Sequence, residues 1–212
     1  MILQQFTVGP IAENCWLLAD ESAKQAVLID PGEEAQRLLA AVDATGCALT
    51  AIWLTHAHFD HIGAVADILR ERAVPVYLHP LDRVLYDHAH ESGQRFGLNV
   101  ETPPPPDREL AEGDAITCGA FTFDVWHLPG HSPGHVAFIG NDLCISGDLL
   151  FEGSIGRTDL PFCDRDAMRR SLVRMTTLPP GTRVLPGHGG YTEIGLELAT
   201  NPYLAPQFTG RP

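Results

Sequence analysis

Thr55-His56-Ala57-His58-Phe59-Asp60-His61 packs three imidazoles and a carboxylate into six residues, and both ligand types suit a borderline divalent metal. What flanks this stretch decides the fold. Upstream, residues 49–54 form a short apolar run with the length of a buried strand. Downstream, Ile62, Val65, Ala66 and Leu69 recur at helical spacing in a helix ending near Ala73, and Val74-Pro75-Val76-Tyr77-Leu78 reads as the next strand. The cluster therefore sits in a loop between a strand end and a helix start, where α/β folds concentrate ligand sites.

The same alternation extends outward. Residues 25–30 read as a strand closed by Pro31-Gly32, and 33–45 as a helix carrying Ala35, Leu38, Leu39 and Val42 on one face. Residues 90–107 hold few core candidates and include Pro103-Pro104-Pro105-Pro106, a stiff extended connector between two halves of one domain. Beyond it, 121–128, 136–139 and 143–146 are strand-like and spaced for an antiparallel meander. A helix over 164–178, a short strand over 183–185 and a terminal helix over 192–199 complete the pattern. Trp16, Trp53 and Trp126 read as core, and His79, His88, His90 and His127 as surface or hydrogen-bonded residues.

Three later loops carry further ligand types after apolar strands: Leu128-Pro129-Gly130-His131, Ser146-Gly147-Asp148 and Leu185-Pro186-Gly187-His188. Glycines there let the chain double back and aim the next side chain at a shared point. His56, His58, Asp60, His61, His131, Asp148 and His188 exceed what one tetrahedral ion needs. They fit two ions sharing a bridging carboxylate, an arrangement that makes hydroxide available near pH 7 and polarises a substrate oxygen. A closed structural zinc site would use four ligands, often with cysteine.

Composition narrows the classes. With 212 residues, 44% of them apolar, the chain can bury a substantial core, and 1–212 is expected to be a single domain. No run of about eighteen apolar residues and no basic, apolar leader is present, so a soluble cytoplasmic protein is expected, without a membrane partner. A net charge of -13 disfavours binding to nucleic acid. The scattered cysteines Cys15, Cys47, Cys118, Cys144 and Cys163 form no Cys-x-x-Cys pair and read as reduced thiols.

The motif order closely resembles the metallo-β-lactamase superfamily over nearly the whole chain. That resemblance implies an α/β fold, a four-layer αββα sandwich with the metal site at the sheet edges. By position, His56, His58 and His131 would hold one metal, Asp60, His61 and His188 the second, and Asp148 would bridge them. Two divalent ions are implied, zinc first, with iron or manganese compatible.

Within the superfamily, Leu128-Pro129-Gly130-His131-Ser132-Pro133-Gly134-His135, Gly147-Asp148-Leu149-Leu150-Phe151 and Phe151-Glu152-Gly153-Ser154-Ile155-Gly156-Arg157-Thr158-Asp159-Leu160-Pro161 look like compact bacterial glyoxalase II-like hydrolases. The implied activity is hydrolysis of a small-molecule thioester such as S-lactoylglutathione by a metal-bridging hydroxide, with catalytic roles for Asp60 and Asp148. Arg157 is the candidate substrate contact, and His135 and Thr55 are candidates to support the ligands. Two departures concern substrate: Ala57 replaces a histidine usual in that motif, and the C-terminal helical domain that contacts glutathione is not expected. Persulfide dioxygenases share the scaffold and a related Gly-Arg-Thr-Asp stretch but hold one iron at positions matching His56, His131 and Asp148. Another hydrolase of this fold, or a metal-stabilised binding protein without turnover, is the remaining alternative.

Overall fold

The computed structural model describes residues 1–210. It opens with an antiparallel meander of β1 (Ile2–Val8), β2 (Glu13–Asp20) and β3 (Gln25–Ile29). The chain crosses over α1 (Ala35–Ala44) to β4 (Ala48–Trp53), which lies parallel to β3. A helical stretch, α2 (Phe59–Ile62) and α3 (Val65–Glu71), leads to β5 (Val76–Leu78), parallel to β4. Two short helices, α4 (Arg83–Tyr86) and α5 (Ala89–Arg95), precede β6 (Arg108–Glu109), which closes the first six-stranded sheet.

The second sheet begins as the expected meander: β7 (Ala115–Cys118), β8 (Phe121–His127), β9 (Val136–Gly140) and β10 (Leu143–Gly147) pair antiparallel in succession. A small hairpin of β11 (Leu150–Phe151) and β12 (Ser154–Ile155) follows, then α6 (Arg165–Met175). Strand β13 (Arg183–Pro186) returns parallel to β10, and β14 (Thr192–Glu193) is the edge. Helices α7 (Ile194–Thr200) and α8 (Pro206–Thr209) end the described chain.

Strand alternation sorts side chains into three apolar layers. On β2, Leu17 and Ala19 face α1 and α3 with Leu28, Ile52, Leu38 and Val65. Trp16 and Leu18, one position out of phase, face the second sheet with Val27, Trp53, Phe123 and Phe138. The other face of the second sheet, through Ala137, Cys144 and Val184, packs on Met168 and Leu172 of α6 and Ile194 of α7. Three apolar interfaces between two sheets and outer helices make the four-layer αββα sandwich that the motifs imply.

Several elements differ from the sequence pattern. The hairpin of β1 and β2 was not expected, because β2 is buried at every position and shows no alternation. The helix expected over 62–73 is split at Gly63, where a Cβ would strike the Gly32 carbonyl. Residues 192–193 pair as β14 before the terminal helix starts. Helix α5 occupies part of the supposed connector. Ser92 and Gly93 weaken its helical signal, yet Gly93 is where Val100 packs against the helix. The four prolines remain irregular, as expected. Trp16 and Trp53 are core, whereas Trp126 is half-buried beneath the Arg174 guanidinium, 4.1 Å from its ring centroid.

No helix among the described residues is long and apolar enough to cross a membrane. The layer between the sheets should carry much of the stability. Phe138, fully buried and with its ring centroid 5.7 Å from that of Trp53, is a direct test. Phe138→Ala is expected to lower unfolding free energy by about 3–5 kcal/mol in urea titration. A loss under about 1 kcal/mol would show that the sheets collapse into the gap.

Candidate metal centre

Topology brings the ligand loops together. Strands β8, β10 and β13 run in one direction in the second sheet, so the loops carrying His131, Asp148 and His188 leave from one edge. In the first sheet, β3 and β4 are parallel and deliver Asp30 and the His56 loop at a common edge. Cross-sheet backbone bonds join the two edges: Val136 N–H donates to Thr55 O at 2.8 Å and Asn14 N–H to Gly187 O at 2.7 Å. The meeting of strand ends makes a crevice.

All seven sequence candidates converge there. His56, His58 and His131 each offer a ligand atom within 4.8 Å of the others, and Asp60, His61 and His188 form a second such group. Asp148 lies between them. Its Oδ2 is 3.3 Å from His131 Nε2 and 3.6 Å from His188 Nε2, and its Oδ1 is 3.4 Å from His61 Nε2. Asp60 Oδ2 stands 3.4 Å from His188 Nε2, and His58 Nδ1 2.8 Å from His131 Nε2. A third grouping, Asp30 with His56 and His61, meets the same distance. Asp30 is already occupied by other donors.

The outer hydrogen bonds fix the tautomers. Thr55 Oγ1 donates to Asp30 Oδ2 at 2.5 Å, so His56 Nδ1–H must donate to Thr55 Oγ1 at 3.0 Å. The His56 lone pair is then on Nε2. His61 Nδ1–H donates to Asp30 Oδ2 at 3.2 Å, His131 Nδ1–H to Arg157 O at 2.9 Å, and His188 Nδ1–H to Ala12 O at 3.3 Å. Each ring therefore turns a basic nitrogen inward. Buried His56 Nε2, His61 Nε2 and Asp148 Oδ1 have no hydrogen-bond partner. Such convergent lone pairs are costly alone and fit a cation.

Electrostatics agrees. Burial lowers the pKa of His56 and His131, and that of His58 to about 3, so all three are neutral donors near pH 7. For Asp148, burial favours the neutral acid, but His61, His131 and His188 together hold its pKa far below the usual carboxylate range. His61 is also opposed by burial and raised by Asp148 and Asp60. The inward set has only nitrogen and oxygen donors, which suits zinc, iron or manganese.

Supporting residues escaped the sequence reading. Asp30, 1% exposed, also accepts from Thr55 N–H at 2.7 Å, locking the strand end that launches the His loop. Asp82, fully buried, takes Ala57 N–H and Ser132 Oγ–H on Oδ2 at 2.9 and 2.8 Å, and Gly134 N–H on Oδ1. It thus ties the segment between His56 and His58 to the segment after His131. Burial raises its carboxyl to about 6 despite these bonds. Glu13 stands behind His61, its Oε1 3.7 Å from Nδ1, and burial pushes its carboxyl well up. Gly187 is required by space, since a Cβ there would collide with Asp148 Oδ1 and His61 Cε1. Of the supports that were expected, Thr55 acts as described, and His135 Nε2 accepts from Asp148 N–H at 3.1 Å.

The centre opens into a cavity of about 630 Å³, lined by His58, Asp60, His131, Asp148 and His188 at the metal-type cluster. Phe96, Phe151 and Phe162 give its walls an apolar character. Arg157 also lines it, but its guanidinium grips Asp159 through two bonds of 2.7 and 2.9 Å. Cys163 is half-buried and donates its thiol to His131 O at 3.0 Å. His79 is buried and stacks on His127 with centroids 4.1 Å apart, outside the centre.

Comparison with known proteins agrees with this geometry. The chain is 36% identical to the hydroxyacylglutathione hydrolase GloC of Haemophilus influenzae, across 96% of this chain and 98% of that protein. The structure of TTHA1623 in a di-iron-bound form is 51% identical, covers 95% of this chain and 100% of its own, and superposes with a TM-score of 0.88. ETHE1 from Myxococcus xanthus is 28% identical with a TM-score of 0.80, over 100% of this chain and 86% of that one. Residues 8–188 match the family model of the metallo-beta-lactamase superfamily, and the chain belongs to that superfamily.

Proposed function

We propose that this chain is a metal-dependent thioester hydrolase of the glyoxalase II type, acting on a substrate such as S-lactoylglutathione. The observation that carries the reading is the pair of ligand groups, His56/His58/His131 and Asp60/His61/His188, with Asp148 between them. A mononuclear iron centre of the dioxygenase kind would use His56, His131 and Asp148 and can retain the remaining histidines, so metal content and the paired assay below separate the two readings. The similarity to GloC supports the hydrolytic reaction, and the di-iron TTHA1623 supports a two-ion centre that accepts iron.

In this reading His56, His58 and His131 would hold one ion, Asp60, His61 and His188 the other, and Asp148, lying between the two groups, would be shared. Divalent ions bound there would supply a water whose pKa falls from about 15.7 toward 7 and would polarise a carbonyl oxygen. The chain's own residues do the rest. Asp60 faces the cavity beside His188, placed to orient the attacking oxygen. The apolar walls hold the thioester and exclude bulk water. The leaving thiol, with an intrinsic pKa of about 8.5, departs as thiolate without a dedicated acid. No side chain in the cavity therefore has to serve as proton donor to the leaving group.

The first test pairs two assays on purified protein of measured metal content. Thiol release from S-lactoylglutathione is expected, without oxygen-dependent sulfite formation from glutathione persulfide. Oxygen consumption with one iron per chain would overturn the reading in favour of the ETHE1-like alternative. Asp148→Asn is expected to lose bound metal and thioester cleavage together, as followed by elemental analysis and thiol release. Full metal content and rate in that variant would remove Asp148 from the centre. Asp82→Ala should weaken metal retention about 10- to 100-fold in chelator competition while leaving the far-UV spectrum intact, because the loops bearing His56, His58 and His131 lose their common tie. Cys163→Ser keeps a donor to His131 O and should change neither measure by more than about twofold.

A further inference from the structure

The cavity combines apolar walls with few cationic groups. Among the described residues, its only Arg or Lys lining residues are Arg95 and Arg157. Arg157 is spoken for by Asp159, in a two-bond grip that matches guanidinium to carboxylate. Arg95, at the C-terminal end of α5, forms no ion pair or side-chain hydrogen bond among the described residues, and its side chain is exposed. In a chain of net charge -13, an unpaired guanidinium on a cavity wall is a local reversal of the field.

Packing sets where it stands. His88, Glu91, Ser92 and Arg95 all line the cavity. Their spacing of three, four and seven residues is that of one helix face. The next residue, Phe96, places its ring centroid 5.0 Å from that of Phe59, which directly precedes Asp60 in the metal-type loop. The end of α5 that carries Arg95 is thereby pinned beside the centre. Glu91, one turn back on the same face, repels a carboxylate and leaves Arg95 as the favourable place for one. Phe96 and Phe162, 54% and 57% exposed, supply an apolar lip.

We infer that Arg95 is the anion anchor of this site and selects thioesters whose acyl or thiol portion ends in a carboxylate. The inference rests on the proposed thioester reading and deepens it. A guanidinium held ready on the wall forms a charge-assisted pair with an incoming carboxylate, and the same wall offers nothing comparable to a neutral substrate.

The test separates recognition from turnover. In steady-state assays of the metal-loaded protein, Arg95→Ala should raise KM for S-lactoylglutathione about tenfold or more. It should change kcat little and leave KM for the uncharged S-lactoyl-N-acetylcysteamine within about twofold. Arg95→Lys should fall between wild type and Arg95→Ala for the anionic substrate only. Calorimetric titration gives a readout without chemistry: wild type should bind S-methylglutathione more tightly than its diethyl ester, and Arg95→Ala should lose that preference. Equal effects on both substrates, or an unchanged acid preference, would overturn the inference even if both thioesters are hydrolysed. An Arg95-dependent acid preference with no thioester cleavage would keep the anchor and discard the hydrolase reading.

Discussion

Convergent lone pairs at the meeting edge of two sheets are the constraint on which this structure depends. His56 Nε2, His61 Nε2 and Asp148 Oδ1 are buried without partners, and outer hydrogen bonds hold Nδ1 of both rings away from the centre. Each such unsatisfied group costs about 1–3 kcal/mol. The surrounding fold tolerates that cost because other bonds hold the loops in place. Asp30 fixes the exit of β4, Asp82 ties the first His loop to the loop of His131, and Gly187 leaves room for Asp148 against His61. The donors are placed by the protein and need not be gathered by the ion, which is the condition for high affinity with defined geometry.

How far this was legible in sequence depends on the range of each interaction. The His loop is local: His56, His58, Asp60 and His61 follow a recognisable strand, so their grouping could be read directly. His131, Asp148 and His188 each follow a turn glycine after an apolar strand, and the repeated pattern disclosed them although the loops are far apart. Asp30 and Asp82 carry no such signature. Asp30 meets Thr55 only because β3 and β4 run parallel with Ile29 opposite Trp53, which puts the next residues of both strands side by side. A carboxylate ending the strand before the ligand strand was the available signal. Asp82 reaches across fifty residues to Ser132 from a one-turn helix, and no periodicity announces that contact.

The same reasoning explains which elements were missed. Strand β2 is buried at every position because both of its faces are covered, one by helices and one by the second sheet, so the alternation that marks a half-exposed strand is absent. Helix α5 contains Ser92 and Gly93 and has a wet face, so it carries neither strong propensity nor a long apolar stripe. Its position is set by tertiary contact, through Gly93 against Val100 and Phe96 against Phe59. Propensity is a weak guide when packing decides.

Helix α5, one of the elements that packing rather than propensity sets, also lines the cavity. The metal donors come from strand ends whose register is fixed by two sheets and three apolar layers, and moving any of them would disturb pairs such as β10 with β13 or β3 with β4. The cavity walls come instead from α5, which follows β5, and from the hairpin of β11 and β12 with the segment after it. Arg95, Phe96 and Phe162 are exposed and help shape the cavity without belonging to the central sheet registers. Under the proposed function, substitutions there would alter what is bound at little cost in stability, whereas the donors are constrained by burial and by every hydrogen bond behind them. Reactivity and selectivity thus rest on different parts of the chain. In the proposed hydrolase, a change of substrate would call for new side chains on α5 or after β12, with the donor set left where the sheets put it.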